Sequence, residues 1–317
     1  MVRRNGTAGR RHYVSMTLKS RGKGWRWVAG AAALALAVTA CGGDETTTAT
    51  TRTGLGFNAP LDDAVVVVAN SPDTLTTRGD QRVMVALLGD GPSQFLGGPD
   101  VPATFQFESE DKSIVEEVQG SWLSATGATL GLYVTHYTFD APGIWAVRLK
   151  GGNDQSMATV IVSDDSAVPD VGDPAPPSQT LTAATTDDLA TISTDPDPDL
   201  AFYQLSVADA VNSGKPTVIV FATPAFCQTA LCGPTMDIVK DALDKRTDVQ
   251  VVHVEPYDIA KAKAGQLVPI DAMTEWNLAT EPWVFVVGAD GKVAASFEGI
   301  LGENELVEAV DSVTGNT

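Results

Sequence analysis

The chain has 317 residues, 44% of them hydrophobic and 19% charged, a balance that excludes a wholly disordered protein. Its 40 acidic and 21 basic residues give a net charge of −19, which disfavours nucleic acid as a partner. The length suits two domains, and three cysteines (Cys41, Cys227 and Cys232) are too few for a disulfide-rich scaffold or a four-thiolate zinc site.

Residues 1–40 have the pattern of an export signal. They carry eight basic residues and no acidic ones, and they end in an apolar run from Val28 to Ala40. This run is shorter than the about 20 residues that a membrane-spanning helix needs. Cys41, directly after Thr-Ala, resembles the bacterial lipobox. The resemblance implies that Cys41 carries a lipid and anchors the chain to the extracytoplasmic face of a bacterial cell membrane. An ordinary signal peptide with an incidental cysteine is the alternative.

After the signal, the composition predicts a tether and then an all-β domain. Residues 41–61 are rich in threonine and are predicted to be disordered. Residues 62–163 contain short β-branched runs separated by Gly, Pro, Asn and Asp, which favours a β-sandwich. The runs are 64–69, 81–88, 129–139, 144–150 and 157–162. Residues 137–147 resemble the end of a bacterial immunoglobulin-like domain, and this implies architecture but no activity.

Residues 164–199 are rich in Pro and Asp, so we expect an extended, solvated linker. From residue 200 the pattern becomes α/β. Ser206 and Gly214 delimit a predicted short helix, and an apolar strand follows at 218–221. A helix with Met236, Val239 and Leu243 on one face comes next. Further strands are predicted at 249–254, 283–287 and 292–297, with a closing helix last. We interpret the order as β-α-β-α-β-β-α, the order of a thioredoxin fold, although no residues are assigned to its second helix.

Two segments, GKPTVIVFATPAFCQTALCGP and ATEPWVFVVGADGKV, resemble the thioredoxin superfamily, and in particular its membrane-anchored extracytoplasmic thiol–disulfide oxidoreductases. The resemblance covers residues 200–317 and implies a thioredoxin-like domain there. It also implies a cis peptide bond between Glu281 and Pro282, facing the cysteines, where a substrate strand binds. The partner would be a thiol- or disulfide-containing protein or a small thiol, with no cofactor and no metal.

The two cysteines carry the predicted chemistry. A thiolate is the attacking species in disulfide exchange, and amides at a helix N-terminus stabilise it. We therefore expect Cys227 to open a helix, to have a lowered pKa and to act as the nucleophile. Cys232 would lie more than one turn deeper in that helix and resolve the mixed disulfide. The C-x4-C spacing departs from the C-x2-C of most thioredoxins, and Phe221 supplies no carboxylate for proton transfer.

Several alternatives stay open at this point. The spacing is similar to one class of peroxiredoxins, although their Pro-x-x-x-Thr-x-x-Cys pattern is incomplete and Arg246 is the one candidate for their arginine. Copper delivery would need a distal loop histidine, whereas His253 lies in or ends an apolar strand. A structural disulfide in a non-catalytic binding or assembly module is a further alternative. Glu255 and Asp258 are candidate proton acceptors, and Trp276 and Trp283 could line a peptide groove or the core.

Overall fold

The computed structural model describes residues 61–89, 94–124 and 131–315 of the chain. The predicted signal peptide (residues 1–40), Cys41 and all of the predicted tether except Leu61 lie outside these described residues. No helix within the described ranges combines the length and the apolar character that crossing a membrane requires.

Eight antiparallel strands form one continuous sheet in the order β1-β2-β6-β5-β4-β7-β8, with β3 paired to β2. The strands are β1 Val65–Val68, β2 Gln81–Leu88, β3 Phe95–Leu96, β4 Ala103–Ser109, β5 Val115–Ser124, β6 Gly131–Tyr137, β7 Gly143–Leu149 and β8 Met157–Val162. Five of them coincide with the predicted β-branched runs. β3, β4 and β5 lie outside the predicted runs. β3 has only two residues, and β5 is largely exposed and polar and therefore forms no apolar run, whereas β4 alternates buried and partly exposed residues.

The sheet folds back on itself at β5, so the predicted sandwich of two sheets is a single, nearly closed sheet. Residues 115–120 of β5 pair with β4, whereas residues 121–124 pair with β6. Gly120 stands at the change of partner, where a Cβ atom would lie 2.7 Å from the ring of Phe105. The two edge strands, β1 and β8, come into contact. The sheet encloses a core in which Trp145, Val147 and Leu149 share one face, as the alternation predicts.

The C-terminal part contains a four-stranded mixed sheet in the order β10-β9-β11-β12. Its strands are β9 Thr217–Phe221, β10 Gln250–Val254, β11 Trp283–Val287 and β12 Val293–Glu298, and its helices are α1 Val207–Val211, α2 Cys232–Leu243, α3 Ile259–Lys263, α4 Asp271–Glu275 and α5 Glu303–Thr314. β10 is parallel to β9, whereas β11 is antiparallel to both β9 and β12. From β9 onward the predicted order is present, with two short helices, α3 and α4, in the place of its second helix.

Local sequence signals explain the ends of these elements. The Ser206 hydroxyl accepts a hydrogen bond from the Asp209 amide at 3.0 Å and caps α1. Gly214, with φ of +73°, lets the chain leave the helix, as predicted. β9 and β11 are buried along their whole length, which is why both read as continuous apolar runs. The predicted face of α2, formed by Met236, Val239 and Leu243, is buried against this sheet.

Residues 164–199 differ from the solvated linker that their composition predicts. Val168 and Ala175 pack into the core on one side of the mixed sheet, and Ile192 packs into the core on the other side. The Gly172 amide donates to the Val293 carbonyl at 2.8 Å, which fastens the segment beside β12. The Pro and Asp residues are separated by enough apolar residues to bury part of the segment.

The sheet of β1–β8 and the C-terminal part are in direct contact. The Arg82 guanidinium on β2 binds the Glu305 carboxylate on α5 at 2.8 Å and donates to the Ile300 carbonyl at 2.8 Å. Met84 and Leu132 pack with Leu231 and Ile300 in a shared apolar cluster. All described residues belong to one compact unit, so the packing does not confirm the predicted division into two domains.

Candidate active site

The two cysteines lie where the chain passes from β9 into α2. Cys227 is in the connecting loop, and Cys232 is the first residue of α2. The prediction that Cys227 opens the helix is therefore wrong, and so is the deeper helical position predicted for Cys232. Ala230 adopts a left-handed φ of +61° just before the helix, which turns the loop so that the helix starts five residues late. Both cysteines are free thiols; Cys232 is fully buried and Cys227 is partly exposed.

The loop holds the Cys227 sulfur against the start of the helix. The Cys232 backbone amide donates a hydrogen bond to Cys227 Sγ at 3.2 Å, and the Thr229 hydroxyl lies 3.3 Å from the same sulfur. The Cys232 amide is among the first four of α2, which have no acceptor within the helix. The expected stabilisation by a helix N-terminus is thus present, although the sulfur reaches it from the loop.

These contacts make the two thiols unequal. The hydrogen bond from the Cys232 thiol, helped by Thr229 and the Cys232 amide, lowers the pKa of Cys227 to about 5, while partial burial opposes this change. The same hydrogen bond to Cys227, together with burial, raises the pKa of Cys232. The direction for Cys227 is the predicted one. At neutral pH the pair therefore combines an accessible thiolate with a buried thiol.

Glu281 brings a buried carboxylate to the cysteines. Its peptide bond to Pro282 is cis, the geometry that the family resemblance implies. One carboxylate oxygen and the two sulfurs lie within 4.8 Å of one another. The Gln228 amide donates to Oε1 at 3.1 Å, and the Tyr257 hydroxyl donates to Oε2 at 2.7 Å. The sequence points to Glu281 only through its peptide bond to Pro282, because no local pattern places the Glu281 carboxylate near Cys227.

The other candidate acids lie elsewhere. Glu255 is buried, its pKa is raised by that burial, and its carboxylate accepts from the Thr194 amide at 2.9 Å. The Thr194 hydroxyl in turn accepts from the Ala225 amide at 3.1 Å, which ties Glu255 to the cysteine loop. Asp258 caps α3 through the Lys261 amide at 3.0 Å. Glu255 therefore supports the loop, and Asp258 has a structural role.

Four further sequence candidates have structural roles. His253 lies in β10, where its ring nitrogens contact the Ala222 carbonyl at 2.9 Å and the Tyr203 hydroxyl at 2.7 Å, and burial lowers its pKa to about 4. The remaining three are held by core packing or by ion pairs. Trp276 and Trp283 are buried in the core, where both contact the ring of Phe285, and Arg246 binds the carboxylates of Asp248 and Asp311.

Cys227, Cys232 and Glu281 are the described side chains whose ligand atoms converge closely enough to hold a metal ion. Two thiolates and a carboxylate are ligand types that zinc accepts. Binding would require the buried Cys232 to lose its proton, which its raised pKa opposes, and both Glu281 oxygens already accept hydrogen bonds. The arrangement fits sulfur redox chemistry better than a metal centre.

Comparisons with known proteins add little. No family model and no curated protein matches the chain. A solved structure described as "Structure of MTB dsbF in its mixed oxidized and reduced forms" is similar to part of it, with 18% identity and a TM-score of 0.27. The match covers 33% of this chain and 85% of that one. At this identity and TM-score, the similarity carries no argument about activity.

Proposed function

We propose that this protein is a thiol–disulfide oxidoreductase with a thioredoxin-like C-terminal domain, residues 200–317, in which Cys227 attacks and Cys232 resolves. The observation that carries the proposal is the inequality of the two thiols. Cys227 Sγ is partly exposed and accepts the Cys232 amide at 3.2 Å, with its pKa lowered to about 5, whereas Cys232 is buried with a raised pKa. A purely structural disulfide needs no such difference.

The mixed sheet supports the thioredoxin-like assignment. Its order β10-β9-β11-β12, with β9 and β10 parallel, places the cysteine loop at the carboxyl end of a central buried strand. Pro282, after a cis bond, immediately precedes the neighbouring strand β11. The Thr229 hydroxyl donates to the Glu281 carbonyl at 3.3 Å, which links the two loops.

The chemistry proceeds in two exchange steps. The Cys227 thiolate attacks one sulfur of a substrate disulfide, so a Cys227–substrate bond forms and the substrate disulfide breaks. The departing substrate thiolate takes up a proton. Cys232 then loses its proton and attacks Cys227 Sγ, forming the Cys227–Cys232 disulfide and releasing the second substrate thiol. The substrate gains two electrons and the cysteine pair loses two; the reverse sequence oxidises a dithiol substrate.

The location and the remaining domains are proposed from the sequence. We infer a bacterial lipoprotein in which Cys41 carries the lipid, residues 41–61 form a tether, and an immunoglobulin-like β-domain at 62–163 is joined through 164–199 to the redox domain. The antiparallel sheet of β1–β8 supports an all-β domain. Cys41→Ala should abolish incorporation of labelled fatty acid and release the chain from membranes.

Trapping of reaction intermediates tests the redox proposal. Cys232→Ser should accumulate a mixed disulfide with a disulfide substrate because it retains the attacking thiolate and lacks the resolving thiol, whereas Cys227→Ser should form none. Mass spectrometry of the trapped species identifies the bonded cysteine. A reduction potential of the pair below about −300 mV would instead indicate a structural bridge. Peroxide consumption that depends on Cys227 and exceeds disulfide exchange would favour the peroxidase alternative.

A further inference from the structure

The outer face of the β1–β8 sheet is apolar beside the cysteine loop. An antiparallel sheet that packs one face on a core usually presents a polar face to solvent. Here Val67 on β1, Ala86 and Leu88 on β2 and Leu132 on β6 line the side opposite the enclosed core. Val67 keeps 37% of its surface exposed. The apolar surface is therefore larger than the area that the C-terminal part covers.

This face forms one wall of a cleft of about 490 Å³, within the roughly 300–1,000 Å³ typical of ligand sites. The opposite wall comes from the C-terminal part and includes Thr229, Leu231, Glu281 and Ile300. The cleft is continuous with the apolar cluster in which Leu231 and Ile300 contact the sheet. It thus continues an apolar interface within this chain.

The cleft adjoins the reactive sulfur. Thr229 lines it, and the Thr229 hydroxyl lies 3.3 Å from Cys227 Sγ. A substrate sulfur must come within about 2.05 Å of Cys227 Sγ to form the mixed disulfide. The residues that flank the substrate cysteine are then held next to this loop, within reach of the cleft.

The charges at the cleft discriminate between substrate classes. Among the described residues that line it none is basic, and Glu281 and Glu298 are acidic. The whole chain carries a net charge of −19. An anionic small thiol would find no cationic partner there and would be repelled by this charge. An uncharged apolar peptide segment would bury its side chains against Val67, Ala86 and Leu132.

We propose, on the basis of the proposed redox function, that this cleft is the substrate-specificity site. It binds apolar side chains next to the disulfide of a polypeptide substrate, and the β1–β8 sheet supplies one of its walls. The sheet is then part of substrate recognition and more than a spacer.

Exchange with matched peptides tests this inference. The full-length chain is assayed with two disulfide-bridged peptides of equal length, one with Leu and Phe beside the cysteines and the other with Ser. We expect kcat/KM to be at least about tenfold higher for the apolar peptide, the usual effect of a hydrophobic pocket. Val67→Asp should lower this ratio by about fivefold, because a carboxylate replaces an apolar contact. Val67→Thr, an isosteric change, should lower it less.

Val115→Asp is the matched control, since Val115 is 52% exposed on β5 and does not line the cleft; the ratio should stay unchanged. Equal rates for the two peptides, or equal losses of preference in Val67→Asp and Val115→Asp, overturn the inference. Exchange with a small aromatic disulfide but with neither peptide overturns it and leaves the redox function standing. No exchange with any disulfide overturns both. A further outcome is that the wild type is a dimer without a peptide preference and that Val67→Asp is a monomer. This outcome would identify the cleft as a self-association surface and would also overturn the inference.

Discussion

Replacement of Thr229 by valine should raise the pKa of Cys227. Valine keeps the shape of threonine but removes the hydroxyl that lies 3.3 Å from the sulfur, while the Cys232 amide at 3.2 Å remains. A hydrogen bond to a charged group contributes about 1.5–3 kcal/mol. Thr229 is exposed and its hydroxyl also bonds the Glu281 carbonyl, so the loss should be about 1 kcal/mol, or roughly 0.7 pH units.

The assay is the rate of iodoacetamide alkylation between pH 4 and pH 10, with mass spectrometry to locate the modified cysteine. The wild type should show a midpoint near the Cys227 pKa of about 5, and Thr229→Val a midpoint roughly 0.7 units higher. Buried Cys232 should remain unmodified across this range. Thr229→Ser, which keeps the hydroxyl, is the control and should match the wild type. A wild-type midpoint near the ordinary thiol value of about 8.5 would refute the reasoning, as would equal midpoints in Thr229→Val and Thr229→Ser.

Three further perturbations test the site and its support. Glu281→Gln should shift the resolving step to lower pH, because the Glu281 charge contributes to the raised pKa of Cys232; release of the second product measures it. When the pH is lowered from 7 to 4.5, the unfolding free energy of the wild type should fall by about 2–3 kcal/mol more than that of His253→Gln. The His253 contribution is complete above the unfolded-state pKa of about 6.5 and is lost as pH falls toward 4, because the unfolded state takes up the proton first. Arg82→Met should lower the unfolding free energy by about 2 kcal/mol in urea denaturation, since it leaves the partly buried Glu305 carboxylate without its cation.

Conservative variants serve as controls for these three perturbations. Glu281→Asp keeps the charge and should leave the resolving step closer to the wild-type pH. For His253, an equal pH dependence of stability in the wild type and in His253→Gln would contradict the assigned pKa. For Arg82, a double-mutant cycle with Glu305→Gln should give a coupling energy clearly different from zero, and additive effects would exclude the ion pair as the cause.

Periodicity predicted several elements whose side chains face a core, although β4, with Ala103, Phe105 and Phe107 buried in alternation, was not among them. The buried face of α2 and the alternation of Trp145, Val147 and Leu149 in β7 both follow from local spacing, since burial selects apolar residues at the period of the element. β5 has no such pattern, because it is largely exposed and divides its pairing between β4 and β6. The start of α2 was also misplaced, because the left-handed turn at Ala230 carries no glycine to mark it.

The amino-acid sequence alone determined which reactive groups the chain carries: two nearby thiols after an apolar strand, a proline before another strand, and an excess of acidic residues. Tertiary structure decided how these groups act. It brought the Glu281 carboxylate to a loop more than fifty residues earlier, where Gln228 binds it, and it joined Arg82 to Glu305 across a separation of 223 residues. The same packing built the apolar cleft from β2, β6 and the cysteine loop. The spacing of apolar residues within a segment shows which of its faces is buried. It does not show which other segment packs against that face, because that segment lies far away in the sequence.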